Sequence, residues 1–234
     1  ITCRDWSSDV CSSDLMRRRL GGEGDADVTA SSANLARVLR QEGNLDGAEV
    51  WQNDALTRRK KLPPEDESPH IATSLNELGL IRRAQGRPAE AMQFLREAYD
   101  RRNKALRSDD STLAESAENL AMVLCDVGEF VEAEKLARQS LAIREQNYAD
   151  DWRRYHAQAL VGAALLGQKK YAEAEAALVS GYSGMKEREA RIPVSEKPRL
   201  NEFLELIVQL YETTGRPEEA ARWRTQPTQP AQTP

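Results

Sequence analysis

Asn34 and Asn119 each stand nine residues before a turn residue, on the exposed side of a helix-forming stretch. An amide there offers a donor and an acceptor together, which suits main-chain recognition. Arg37, Arg40 and Arg83 carry planar guanidiniums at neighbouring positions, the shape that grips acidic side chains bidentately. Asn76 lies one residue out of the asparagine register, with Glu77 in the register itself, and Met122 adds an apolar contact. The set Asn34, Arg37, Arg40, Asn76, Arg83, Asn119 and Met122 is the candidate partner-binding groove. A second reading stands beside it: the asparagines bond between adjacent helices and the arginines are solvated. The displaced Asn76 interrupts an asparagine ladder, so no carboxylate clamp is assigned.

Bond-making chemistry finds little support. His70 and His156 have no companion at metal-ligand or triad spacing. His70 falls in a connector and reads as a turn residue; His156 starts a helix and stands alone. Gly21-Gly22-Glu23-Gly24 lacks the Lys-Ser/Thr of a phosphate loop. Cys125 reads as a small seam or inner-face residue, and the abundant glutamates fall on solvated faces and caps. No catalytic, cofactor-binding or metal-binding residue is expected, and no cofactor.

The elements that position these side chains form a repeat. Leu75 to Leu106 reads as two amphipathic helices joined at Gly86-Arg87-Pro88, and the plan recurs around Gly43, Gly128, Lys169 and Gly215, at spacings of 43, 42, 41 and 46. Five residues past each turn stands an alanine: Ala48, Ala91, Ala133, Ala174 and Ala220. Eight before each stands an aliphatic: Leu35, Leu78, Leu120, Val161 and Ile207. A fixed period near 42 means stacked hairpins that bury their faces against one another. Close helix crossing explains the alanines, and glycine supplies the left-handed backbone that ends each first helix. At Lys169 either Gly167 takes the turn two residues earlier or Lys169 bears strain. The spacing predicts helix pairs at 29–42 with 45–61, 69–85 with 88–106, 111–127 with 130–148 and 152–167 with 171–190. A last pair, 198–214 with a short 217–225, follows the break Arg191 to Pro198, and Ser68 or Ser111 is the expected cap of the helix after each linker.

The segments SANLARVLRQEGNLDGAE, SLNELGLIRRAQGRPAEA, SAENLAMVLCDVGEFVEAE, ALVGAALLGQKKYAEAE and FLELIVQLYETTGRPEEA resemble the tetratricopeptide repeat. They are closer to the long variety found in kinesin light chains and many bacterial proteins, and SPHIATSLNELG looks like that variety's acidic-Pro-His connector. The resemblance covers roughly residues 17 to 225. It implies an all-α, right-handed superhelical solenoid of antiparallel helix hairpins, with a concave side built from the first helix of each pair. It also implies a role for Asn34 and Asn119, which match a position where such repeats carry an asparagine that bonds a peptide backbone or terminal carboxylate. Trp152 to Arg224, with YHAQALVGAALLGQKKYAEAEAALVSGY and LYETTGRPEEAARWR, is similar to the C-terminal repeats of bacterial serine/threonine protein kinases. The chain itself lacks a glycine-rich nucleotide loop with its lysine, and HRD and DFG sequences.

Composition narrows the classes. Forty per cent apolar and 30% charged residues fit hairpins with a dry seam and wet outer faces, and a dispersed net charge of −5 leaves no nucleic-acid footprint. The runs Arg58-Arg59-Lys60-Lys61 and Arg101-Arg102-Asn103-Lys104 read as cations complementing helix C-termini rather than a phosphate patch. No apolar run approaches the roughly 18 residues of a membrane helix. Asp5 to Leu15, DWSSDVCSSDL, looks like one reading frame of a common sequencing adapter, so residues 1–15 are expected to be a disordered translated artefact. Without Cys3 and Cys11, Cys125 is left alone, a cytosolic pattern that points to a cytoplasmic protein. Residues 16–28 resemble the end of a preceding repeat and its connector, with Leu20 where Leu62 and Leu106 fall later, so the protein is expected to continue upstream. The repeat array is placed at 29–225, and the Pro- and Gln-rich residues 226–234 are expected to be disordered.

The leading expectation is a non-catalytic module that binds a protein or peptide partner in its groove, without nucleic acid or membrane. The alternatives are the docking fragment of a bacterial serine/threonine kinase whose catalytic domain lies upstream, and a self-associating structural repeat protein.

Overall fold

The computed structural model of the chain describes residues 26–61 and 64–225. The adapter-like segment 1–15, the repeat remnant up to residue 25, Leu62, Pro63 and the tail 226–234 lie outside the described residues.

Ten α-helices and no strand occur among the described residues. They are α1 Ala26–Gln41, α2 Leu45–Arg59, α3 Pro64–Ala84, α4 Pro88–Ala105, α5 Ser111–Val127, α6 Phe130–Asn147, α7 Trp152–Gly167, α8 Tyr171–Glu187, α9 Pro198–Thr213 and α10 Pro217–Arg224. The chain divides between Leu106 and Arg107 into two compact units. The first holds the hairpins α1/α2 and α3/α4; the second holds α5/α6, α7/α8 and α9/α10.

Each turn is built as the period requires. Gly43, Gly86, Gly128 and Gly215 all take positive φ, between 72° and 86°. Lys169 takes φ 62°, so the lysine bears the left-handed conformation itself. Gly167 serves another purpose: a Cβ there would lie 2.2 Å from Cδ1 of Phe130.

Small residues set the helix crossings. Ala48, Ala91, Ala133, Ala174 and Ala220 are all completely buried. A second crossing lies seven residues before the turn, where a Cβ on Gly79 would sit 2.4 Å from Cγ of Leu95 and one on Gly162 would sit 2.6 Å from the Leu178 nitrogen. Where the second helix carries leucine, the first carries glycine. Between hairpins the seams are apolar: Leu56 packs with Leu75, Leu78 and Ala98, and Leu39 and Ala48 pack with Ile81. Each such fully buried leucine contributes about 1.5–3 kcal/mol.

The seams of both units are also stitched by glutamates six residues past the turn. Glu49 accepts two hydrogen bonds from the Arg82 guanidinium, at 2.8 and 2.6 Å, and one from Gln85. Glu134 accepts from Gln168 at 2.7 Å and Lys170 at 3.1 Å. Glu175 accepts from Arg216 at 2.6 Å and from the Tyr211 hydroxyl at 3.0 Å.

Two local expectations are corrected. Helix α3 begins at Pro64, five residues before the expected start, and Pro69 lies inside it. As the sixth residue of α3, Pro69 lacks the N–H of one intrahelical bond and its ring crowds the preceding turn, a cost confined to the first two turns of a 21-residue helix. Ser68 is therefore helical, and Ser111 is the first helical residue of α5; neither is a cap. Asp110 caps α5 from an extended conformation, its carboxylate accepting the Thr112 N–H at 2.6 Å, and Asp151 does the same for α7 from Arg153 N–H. The break before α9 is filled by two short 3₁₀ turns, Glu189–Arg191 and Val194–Glu196, with Ile192 buried between them.

Candidate protein-binding face

In the first unit, α1 exposes Asn34, Arg37, Val38 and Gln41, one stripe at helical spacing. The neighbouring α3 presents Thr73, Glu77, Leu80 and Ala84 at spacings of four, three and four. The two stripes are tied by Arg40, whose Nε donates to Glu77 Oε2 at 3.2 Å. Glu77, standing where Asn34 and Asn119 stand in their repeats, thus reaches back to the preceding hairpin. Arg83 lies half-buried at the edge of the α3 stripe. This face carries the guanidiniums of Arg37 and Arg40, the latter paired with Glu77, and Val38 is 40% exposed beside them.

The remaining candidates sit differently. Asn76 is 2% exposed, Met122 5% and Asn119 8%. All three are buried, so they offer little area to a partner.

Sequence reasoning missed a buried polar layer. Arg59, Arg102 and Arg144, each sixteen residues past a turn residue, are buried rather than solvated helix-end cations. Arg59 donates to the His70 carbonyl at 2.9 Å and to Ser74 Oγ at 2.5 Å, while Arg102 donates to Thr73 Oγ1 at 3.1 Å. The His70 ring is exposed; its backbone oxygen makes the contact. The signal was present in the repetition, because a solvated arginine has no reason to recur in one register across three hairpins.

In the second unit the third of these arginines meets a carboxylate. Glu118 Oε1 accepts from Ser140 Oγ at 2.5 Å and Arg144 Nε at 3.1 Å, and Oε2 lies 3.4 Å from His156 Nδ1. Burial pushes the Glu118 carboxyl up, but His156, Arg144 and Ser140 together outweigh it and hold the group below its ordinary value. His156, one of the two histidines that looked solitary in the sequence, is therefore buried in a polar cluster. Cys125, at the end of α5, is half-buried. Among the described residues no group of three or more metal-ligating side chains comes together, and no helix is long and apolar enough to cross a membrane.

The family described as Tetratricopeptide repeat matches residues 27–104 and 112–187. Among solved structures, BtubC (BKLC) from P. vanneervenii is similar over 97% of this chain and 94% of its own, at 17% identity and TM-score 0.70. A kinesin light chain candidate from Podosopora anserina with nearly identical TPR-like repeats aligns over 83% of this chain and 90% of its own, at 24% identity and TM-score 0.64. A Rap protein complexed with competence and sporulation factor aligns over 92% of this chain and 60% of its own, at 13% identity and TM-score 0.66. No curated protein matches.

Proposed function

The chain belongs to the tetratricopeptide repeat family, and from that premise we propose that it is a non-catalytic interaction module holding an acidic segment of a partner protein on the α1/α3 face of its first unit. The observation that carries this reading is the exposed pairing of Asn34 and Arg37 on α1, beside a stripe on α3 that is already tied in place by Arg40 and Glu77. Asn34 supplies the amide for a peptide backbone. Arg37 supplies charge, and Val38 and Leu80 supply apolar contact. Because the face is fixed by a packed scaffold before a partner arrives, little ordering cost falls on the protein. The Rap protein solved with competence and sporulation factor supports a ligand-holding role for this fold.

The test is a displayed library of Asp- and Glu-rich peptides selected against the full chain, with binders remeasured on Asn34→Ala and Arg37→Ala. Each substitution is expected to weaken binding about tenfold, roughly the 1.4 kcal/mol of one charge-assisted or amide hydrogen bond, with helicity unchanged. Unchanged affinity in both variants, or an acidic library that yields no binder, overturns this face.

A further inference from the structure

The buried cluster in the second unit has no part in the proposed binding face. Its centre is the Glu118 carboxylate, which touches two other helices: Ser140 and Arg144 on α6, and His156 on α7. All four side chains are buried. His156 Nε2 has no hydrogen-bond partner, and its ring stands edge-on to Phe203 of α9 at 5.5 Å and to Trp152 of its own helix at 6.1 Å. The groups facing the pair are therefore Arg144 and Ser140 from α6, and the uncharged Phe203 ring from α9. Among the described residues, α8 places no ion-pairing group against either side chain. One buried anion thus balances the nearest cation and anchors the imidazole.

We propose that Glu118 is an acid-released latch: its ionised form ties α7 to the α5/α6 hairpin, and protonation loosens α7. The reason is charge count in a dry place. A protonated Glu118 leaves the Arg144 guanidinium buried with no anion opposite it. An uncompensated buried charge is among the most destabilising arrangements a fold can hold. The hairpin α5/α6 also keeps its short covalent turn and the completely buried Ala133 crossing, neither of which involves Glu118, so the strain falls on the joint with α7. The sign follows from the lowered carboxyl: the latch is complete above the ordinary carboxylate range and is lost as pH falls through that range toward the depressed folded value.

The test is hydrogen exchange of the full chain followed by mass spectrometry at pH 7 and pH 3, corrected for intrinsic rates. Peptides from α7 are compared with peptides from α1–α4. The wild-type protein is expected to lose at least tenfold more protection in α7 than in α1–α4 on acidification. Glu118→Gln should show that loss already at pH 7 and little further change in acid. The triple variant Glu118→Leu/Arg144→Met/His156→Phe fills the same space with apolar groups, and should keep α7 protected at pH 7 while losing most of the acid response. It retains Glu134 and the α7 cap Asp151, so any acid response that survives in it belongs to those other carboxylates. An equal acid response in the wild type and the triple variant overturns the latch, as does full α7 protection in Glu118→Gln at pH 7. Peptide binding is not read, so this outcome is separate from that of the proposed binding face.

Discussion

Replacing Glu134 by glutamine removes one charge from the stitch between α6 and the turn that follows α7. Burial pushes the Glu134 carboxyl up, but hydrogen bonds from Arg138, Gln168 and Lys170, with the Arg138 charge, bring it down to about 2 from an ordinary 4.5. Unscreened, that difference corresponds to about 3.4 kcal/mol. The cations are half-exposed, Arg138 at 51% and Lys170 at 44%, so solvent screening leaves about 1 kcal/mol. A carboxyl lowered in the folded state stabilises above its unfolded value and loses that contribution as pH falls through the folded one. The expected result is therefore a Glu134→Gln variant about 1 kcal/mol less stable at pH 7, with the gap shrinking between about pH 4.5 and pH 2. Urea unfolding followed by far-UV circular dichroism on both proteins, at pH 7 and pH 3, measures it. High salt should narrow the gap at pH 7, because the pairs are partly in water. Lys170→Met in the Glu134→Gln background should cost less than Lys170→Met alone, since the two share one interaction. A gap that is the same size at pH 3 as at pH 7 refutes the electrostatic account and leaves only packing.

Two further substitutions test the backbone geometry. Lys169→Gly should stabilise the chain by about 0.5–1 kcal/mol, because the left-handed conformation at φ 62° costs lysine more than glycine loses in chain entropy; a lowered melting temperature contradicts this. Gly162→Ala should destabilise by about 1–3 kcal/mol, since its Cβ meets the Leu178 backbone nitrogen, which cannot swing aside. A neutral result in urea unfolding would mean that the α7/α8 crossing is looser than 2.6 Å implies.

The hairpin plan was legible because it is written at short range and repeated. Gly43, Gly86, Gly128 and Gly215 announce turns, the alanine five residues on announces a crossing, and five repetitions in register turn weak local signals into an assignment. Local chemistry at single sites was harder to read. Serine seemed the capping residue at two linkers, but Asp110 holds the extended backbone that a cap needs, while Ser111 is already helical. The helix was expected to start at Pro69, yet α3 runs through it from Pro64 and absorbs its missing N–H and ring crowding within the first two turns.

The candidate face was legible in part. Asn34, Arg37 and Arg40 could be placed on one side of α1 by spacing alone, whereas the ion pair that joins Arg40 to Glu77 depends on two residues 37 apart in sequence. The burial of Asn76, Asn119 and Met122 was hidden for the same reason. Helical spacing states which side of its own helix a residue occupies, and says nothing about how far the next helix leans over it. Arg59, Arg102 and Arg144 looked like ordinary basic residues near helix ends, and His156 like a histidine without company. Only the packing of α5, α6 and α7 against one another brings Glu118, Ser140, Arg144 and His156 together in the absence of water. The sequence by itself determined the repeat, its turns and its small-residue crossings, because those follow from backbone sterics within a few residues. The tertiary structure decided which polar groups are open to a partner and which are sealed, because burial and charge pairing depend on what arrives from other helices.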